Sequence, residues 1–365
     1  MDRDKRSAIV SYIVAVGLAI VVLLFFMLVF GARLYLDDPY PYGILLFCAI
    51  FMILFYLQIF VHELGHVIFG KLSGYRFMAM SVFGICIIRD GGKLRRAHFP
   101  LMGAAGGTLC LPGGGYKSDT PYKMMLMGGA FMNLLVAGIC MIVIIMYPHP
   151  FLNIFMLGGV MTGIFVAVPN LIPFTSGLMV NDAMMLRLFE KEDASKHCVY
   201  YGQMRMFALL TGKDHTLVPA PEDLPQDNRL ADAILFTLAE DDLNLKRFDA
   251  AEKKFAELLG NFEEGSTAHN LVNLHILLIN ELNGAGREVI DSIYSGKMKK
   301  FVDTYGRAIP VALLFRVSYE KRFGDGSVDV DRLVRTFYKL VKKNEMAKFE
   351  KEVMASLLAD NTQMP

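Results

Sequence analysis

The sequence predicts an α-helical integral membrane protein. About four transmembrane helices with a short membrane-edge β-hairpin lead into an all-α cytoplasmic domain. Three observations predict this. Several apolar runs approach or exceed the ~20 residues that a spanning helix needs. Up to Leu186 the acidic residues are only Asp2, Asp4, Asp37, Asp38, Glu63, Asp90, Asp119 and Asp182, whereas beyond it acidic and basic residues are dense and nearly balanced. Between the second and third apolar runs lies a segment that alternates like a strand. The chain as a whole has 365 residues and is 54% hydrophobic, which is high for a soluble protein.

The first run, "AIVSYIVAVGLAIVVLLFFMLVFG" (8–31), follows Arg3, Lys5 and Arg6. It is too long for a signal-peptide core and no small-residue cleavage site follows, so it reads as a retained anchor. The second (42–70) starts at "YGILLFCAIFMILFYLQIF" and continues through "HELGH". "MMLMGGAFMNLLVAGICMIVIIM" (124–146) is the third, and "FLNIFMLGGVMTGIFVAVPNLI" (151–172) the fourth, joined to it by "YPHP". The loop between spans two and three holds Arg76, Arg89, Lys93, Arg95, Arg96 and Lys117, against only Arg33 on the other side. Basic loops stay inside, so both termini and this loop are expected in the cytoplasm, as in a bacterial cell membrane protein.

Within that loop, "RFMAMSVFGICIIRDGGKLRRAHF" alternates around Asp90-Gly91-Gly92, a turn signal that predicts a hairpin over 76–98. "GAAGG" and "LPGGG" are expected to be a flexible lead into span three. The five cysteines are scattered and form no CxxC pair, so neither a disulfide framework nor a zinc ribbon is indicated. The net charge is +1 and no basic tract carries interleaved aromatics, so no nucleic-acid partner is expected.

"IFVHELGHVIFG" (59–70) is the anomaly. Ionisable groups in a bilayer helix are costly and mark function. His62 and His66 are four residues apart and share a helix face, so both imidazoles can ligate one metal, and Glu63 beside them can take a proton from a water. Zinc suits such ligands, and a catalytic zinc usually has three protein ligands. Among the remaining carboxylates of this half, Asp182 in "PNLIPFTSGLMVNDAMML" is the best candidate for the third. Asp37 and Asp38 fall on the wrong side, and Asp90 and Asp119 lie in the cytoplasmic loop. His98 is a poorer candidate, in a surface-like "LRRAHFP".

HELGH in one span, "GGAFMN" in the next and "NLIP" followed by an aspartate together resemble the site-2 protease family of intramembrane zinc metalloproteases, over roughly residues 42–190. The family's G-P-x-x-N motif is matched by Gly129-Ala130-Phe131-Met132-Asn133, with alanine for proline. Its N-x-x-P motif is matched by Asn170 and Pro173. Asp182 follows Pro173 by nine residues and Ala183 stands where the family has glycine, as in a divergent bacterial branch. The loop is too short for the family's frequent PDZ insertion. The resemblance implies one zinc per chain held by His62, His66 and Asp182, with Glu63 as general base. It further implies a transmembrane or signal-peptide-like substrate, cut in the lipid bilayer. Asn133 and Asn170 are candidates for the substrate backbone or the oxyanion, or else for hydrogen bonds between helices. A catalytically inactive relative that binds membrane segments or partner proteins is the alternative.

The expected domains are 1–186, a membrane-embedded metalloprotease; 187–228, a juxtamembrane helix and linker; and 229–365, a cytoplasmic helical domain. In the last, "RFDAAEKKFAEL" resembles the second helix of a tetratricopeptide repeat. A stack of α-hairpins would suit a cytoplasmic protein or peptide partner, and a compact bundle is the other reading.

Overall fold

The computed structural model describes residues 43–98, 105–306, 308–342 and 347–359, with residues 13, 17 and 20 besides. Apart from those three, the expected first span (8–31) lies outside the described residues, as do Arg33, Asp37 and Asp38. The chain divides into two compact units, the first ending at residue 225 and the second starting at residue 226.

In the first unit, α1 (Gly43–Leu72), α2 (Lys123–Met146) and α3 (Pro150–Leu171) pack on one another. Segments of these three, Ala49–Leu72, Lys123–Met146 and Phe151–Leu171, are long and apolar enough to cross a membrane. Their large apolar side chains point outward: Ile53, Leu57 and Phe60 on α1, and Phe131, Ile139 and Ile142 on α2. Polar side chains point inward, with Gln58, His62, Glu63, His66, Asn133, Asn153 and Thr162 all buried. That inversion suits a lipid surround, where a polar group must find its partner inside the protein. The helices approach closely because glycines face each other. A Cβ on Gly65 would lie 2.3 Å from Gly128 O, and one on Gly128 2.8 Å from Gly65 O.

The loop after α1 is more ordered than expected. Instead of one hairpin it forms a four-stranded antiparallel sheet in the order β3-β2-β1-β4, from β1 (Tyr75–Val82), β2 (Ile85–Asp90), β3 (Lys93–His98) and β4 (Gly106–Pro112). Asp90 pairs with Lys93 around Gly91 and Gly92, both at positive φ, as the turn signal predicts. A second tight turn at Phe83 and Gly84, also at positive φ, closes β1 onto β2. The glycine-rich lead is the larger correction: "GGTLCLP" is not a flexible tether but strand β4, paired along β1. Glycine weakens a strand in isolation, and here the neighbouring strand and α1 supply the compensating contacts.

After α3 the chain makes a two-stranded hairpin, β5 (Thr175–Ser176) with β6 (Met179–Val180), turning at Gly177 with φ 64°. Helix α4 (Asp182–Lys191) and then α5 (Ala194–Leu210) follow, and α5 packs against β4.

The second unit is helical throughout its described elements. "RFDAAEKKFAEL" falls in α7 (Phe248–Leu259), which packs between α6 (Arg229–Asn244) and α8 (Thr267–Leu282). His275 sits in this core, stacked on Phe255 with ring centroids 4.9 Å apart and edge-on to Phe236. Burial pushes its pKa down from 6.5 to about 4, against a hydrogen bond from Nδ1 to Leu271 O that pulls the other way. Glu240 lies 3.7 Å from Nε2 but is 45% exposed, so water weakens its pull. A histidine depressed on folding stays neutral while the unfolded chain protonates, so stability is full above pH 6.5 and is lost as pH falls towards 4. Amide exchange across Thr267–Leu282 in the full chain, corrected for intrinsic rates, should therefore show protection falling by about 2 kcal/mol between pH 7 and pH 5. His275→Leu should remove most of that fall, and an equal fall in the variant contradicts the assignment.

Candidate metal centre

Helix geometry puts His62 and His66 on the same face of α1, turned to α2, and their rings lie 4.8 Å apart. The Nδ1 partner of each settles its tautomer. His62 Nδ1 is 2.8 Å from Asn133 Oδ1, and His66 Nδ1 is 2.8 Å from Met125 O. Both partners accept, so both Nδ1 atoms donate. The amide orientation of Asn133 is fixed in turn, because its Nδ2 donates to Gln58 O and Gln58 Oε1, each at 2.7 Å. Gln58 passes the chain on to Gly159 O of α3 at 3.3 Å. One polar relay thus ties three apolar helices together.

In the neutral rings, with the proton on Nδ1, each Nε2 presents a lone pair. They converge on one carboxylate oxygen: Asp182 Oδ2 lies 3.2 Å from His62 Nε2 and 3.3 Å from His66 Nε2. The three ligand atoms lie within 4.8 Å of one another. Two imidazole nitrogens and a carboxylate oxygen facing one point call for a proton or a metal cation among them. Tetrahedral zinc with bonds of ~2.0–2.1 Å places its ligand atoms roughly 3.3–3.4 Å apart, so the donor set and the two His–Asp distances fit zinc. Gly129 keeps the space free, since a Cβ there would sit 2.6 Å from both Nε2 atoms.

The nine-residue step from Pro173 to Asp182 has a physical account. The hairpin β5–β6 carries the chain out and back, and Asn181 pins the return. Its Nδ2 donates to Pro169 O and Ile172 O at 2.8 Å each, while its Oδ1 accepts from Phe174 N at 3.1 Å. The same oxygen caps α4 by accepting from Met184 N at 3.0 Å. Asp182, the first residue of that helix, is thereby held over the histidines.

Glu63 is buried beside His62 and is gripped by β4. Thr108 Oγ1 donates to Glu63 Oε2 at 2.7 Å, and Gly106 passes so close that a Cβ on it would lie 2.5 Å from Oε1. Asn170 donates to Val166 O at 3.0 Å, one turn back in α3. His98 lies at the end of β3, opposite Ile85 on β2. Cys110 is a packed thiol: burial first, then the Glu63 charge, pushes its pKa up to about 12. The structure therefore brings His62, Glu63, His66 and Asp182 together and ties Asn133 to them through His62. Asn133 has both amide hydrogens engaged within the helices, not turned to a substrate. Thr108, Gly106, Gln58 and Asn181 are the residues that sequence reasoning missed. Only Asn181 carries a local signal, an asparagine directly before a helical run.

Residues 50–151 match the model of peptidase family M50, the site-2 protease family. No curated protein and no solved structure matches the chain. The M50 match takes in HELGH, the sheet and α2, while nearly all of α3, the hairpin and Asp182 lie beyond it. M50 peptidases are membrane metalloproteases that use zinc, in keeping with the three apolar helices and the His-His-Asp cluster.

Removing a partner that orients a ligating histidine typically costs 10–100-fold in metal affinity. Asn133→Ala should accordingly weaken zinc binding by roughly that factor in a competitive chelator titration, without unfolding the helices. An unchanged affinity would mean that His62 is oriented by something else.

Proposed function

We propose that this protein is an intramembrane zinc endopeptidase that hydrolyses peptide bonds in transmembrane or signal-peptide-like segments of other proteins. The observation that carries the reading is the convergence of His62 Nε2, His66 Nε2 and Asp182 Oδ2 beside Glu63, with both histidines and Glu63 on a helix otherwise fit for lipid. Held by those three atoms, zinc would supply Lewis acidity and bring the pKa of a water down towards ~7.

The chain's own residues do the rest. Glu63, aimed by Thr108, takes one proton from the attacking water and delivers it to the departing amide nitrogen, as the new C–O bond forms and the C–N bond breaks. Asn133 holds His62 in its donating tautomer, and Asn170 stays a candidate for holding substrate backbone. A substrate helix must unwind locally, because its carbonyls are otherwise tied up in its own hydrogen bonds. The proposal includes a first span over 8–31, cytoplasmic termini in a bacterial membrane, and a C-terminal unit of tetratricopeptide-like hairpins that grips a partner protein or peptide.

Purified full-length protein in detergent, given single-span peptides, should cut them, and 1,10-phenanthroline should stop it. Glu63→Gln should keep its zinc and lose cleavage by about 10³-fold or more. Wild type that binds the peptides yet cuts no faster than Glu63→Gln would replace this reading with that of an inactive binder.

A further inference from the structure

The far face of the sheet holds a cavity that none of His62, Glu63, His66 and Asp182 lines. It has a volume of about 190 Å³ and lies between the sheet and α5, mostly apolar in its lining. Its floor is made of side chains too small to fill it: Gly107 pairs with Ser81, and Ser81 with Cys86, across three adjacent strands. Its roof is Gly202 and Met206, four residues apart on one face of α5. Leu109 closes one side. Gly202 stands in the middle of a 17-residue helix, where alanine would be more stable by roughly 1 kcal/mol.

Strand β4 separates this cavity from the candidate metal centre and connects the two. Successive side chains of a strand alternate between faces. Gly106 and Thr108 face Glu63, whereas Leu109 packs on the other face with Ala79, Cys86 and Ile88, beneath Phe207 and Leu210 of α5. Thr108 itself both bonds Glu63 and borders the cavity. Phe83 N–H donates to Ala105 O at 2.9 Å. By the alternation of an antiparallel ladder, Gly107 and Leu109 also bond towards β1. Gly106 and Thr108 therefore turn their peptide groups to the outer side of β4, which is an edge strand among the described residues.

We propose that the cavity is a substrate subsite that receives one apolar side chain, of leucine, methionine or phenylalanine size, from an extended peptide laid along β4. An extended peptide added to an edge strand alternates its side chains just as β4 does. One set then falls on the Glu63 side, where bonds are cut, and the neighbouring residue falls into the cavity. Transmembrane segments supply apolar side chains at almost every position, so a pocket of fixed size selects the bond rather than the polypeptide. This subsite rests on the endopeptidase reading above.

The test is a pool of synthetic single-span peptides randomised over their central residues, digested by full-length wild type, Gly202→Ala and Gly202→Leu, with cut sites read by mass spectrometry. Wild type should accept leucine, methionine or phenylalanine at one fixed position beside the cut. Gly202→Leu should favour alanine, glycine or serine there by roughly tenfold or more, within the range that a methylene or two commands in an apolar pocket. Preferences at the other positions should not change. Gly202→Ala, favoured by helix propensity and so expected to fold, should fall between. An unaltered profile in Gly202→Leu overturns the subsite alone, and so does a uniform loss over all peptides in both variants. A wild type that cuts none of the pool overturns the protease reading, and the subsite goes with it.

Discussion

Two imidazole N–H groups inside an apolar helix bundle must find acceptors, and much of the membrane unit follows from how they do. An unpaired donor at that depth costs several kcal/mol. His66 takes a backbone carbonyl, Met125 O, which requires α2 to come against α1. That approach is possible only because Gly65 and Gly128 meet without side chains. His62 takes Asn133, whose own amide hydrogens then need Gln58. Satisfying the two Nδ1 atoms therefore fixes the packing of the helices and turns both Nε2 lone pairs to one point.

The same constraint explains why Asp182 is where it is. A carboxylate held 3.2 and 3.3 Å from two imidazole nitrogens is repelled unless a proton or a metal cation lies between. The chain supports that position heavily: a hairpin reverses it, the Asn181 side chain makes four hydrogen bonds, and a helix begins on the aspartate. Metal binding and the folding of this corner are expected to be coupled.

How much of this is legible in the sequence depends on the range of the interaction. HELGH is local, and helix periodicity alone puts its two histidines on one face. The apolar runs fix α1, α2 and α3 to within a few residues, because length and hydropathy are what lipid requires. Asp90-Gly91-Gly92 fixes its turn for the same local reason, a need for positive φ. Asp182 is reachable by elimination among few carboxylates, but the hairpin that carries it is short and gives no periodicity to read. Strand β4 fails as a prediction because its glycines argue against a strand. The use of Gly106 becomes visible only once Glu63 is seen to press against it. The partners of Asn133 are likewise set by tertiary packing, so the motif names the residue and not its bonds. In the second unit, the helix over "RFDAAEKKFAEL" is legible from apolar spacing, while the burial of His275 between two phenylalanines is not.

Zinc per chain, measured by mass spectrometry on detergent-purified full-length protein prepared without chelators, tests the centre most directly. The account predicts about one zinc in wild type and in Glu63→Gln, and a loss of most of it in Asp182→Ala. Full zinc in Asp182→Ala would contradict it and place the third ligand elsewhere. No zinc in wild type would contradict it as well.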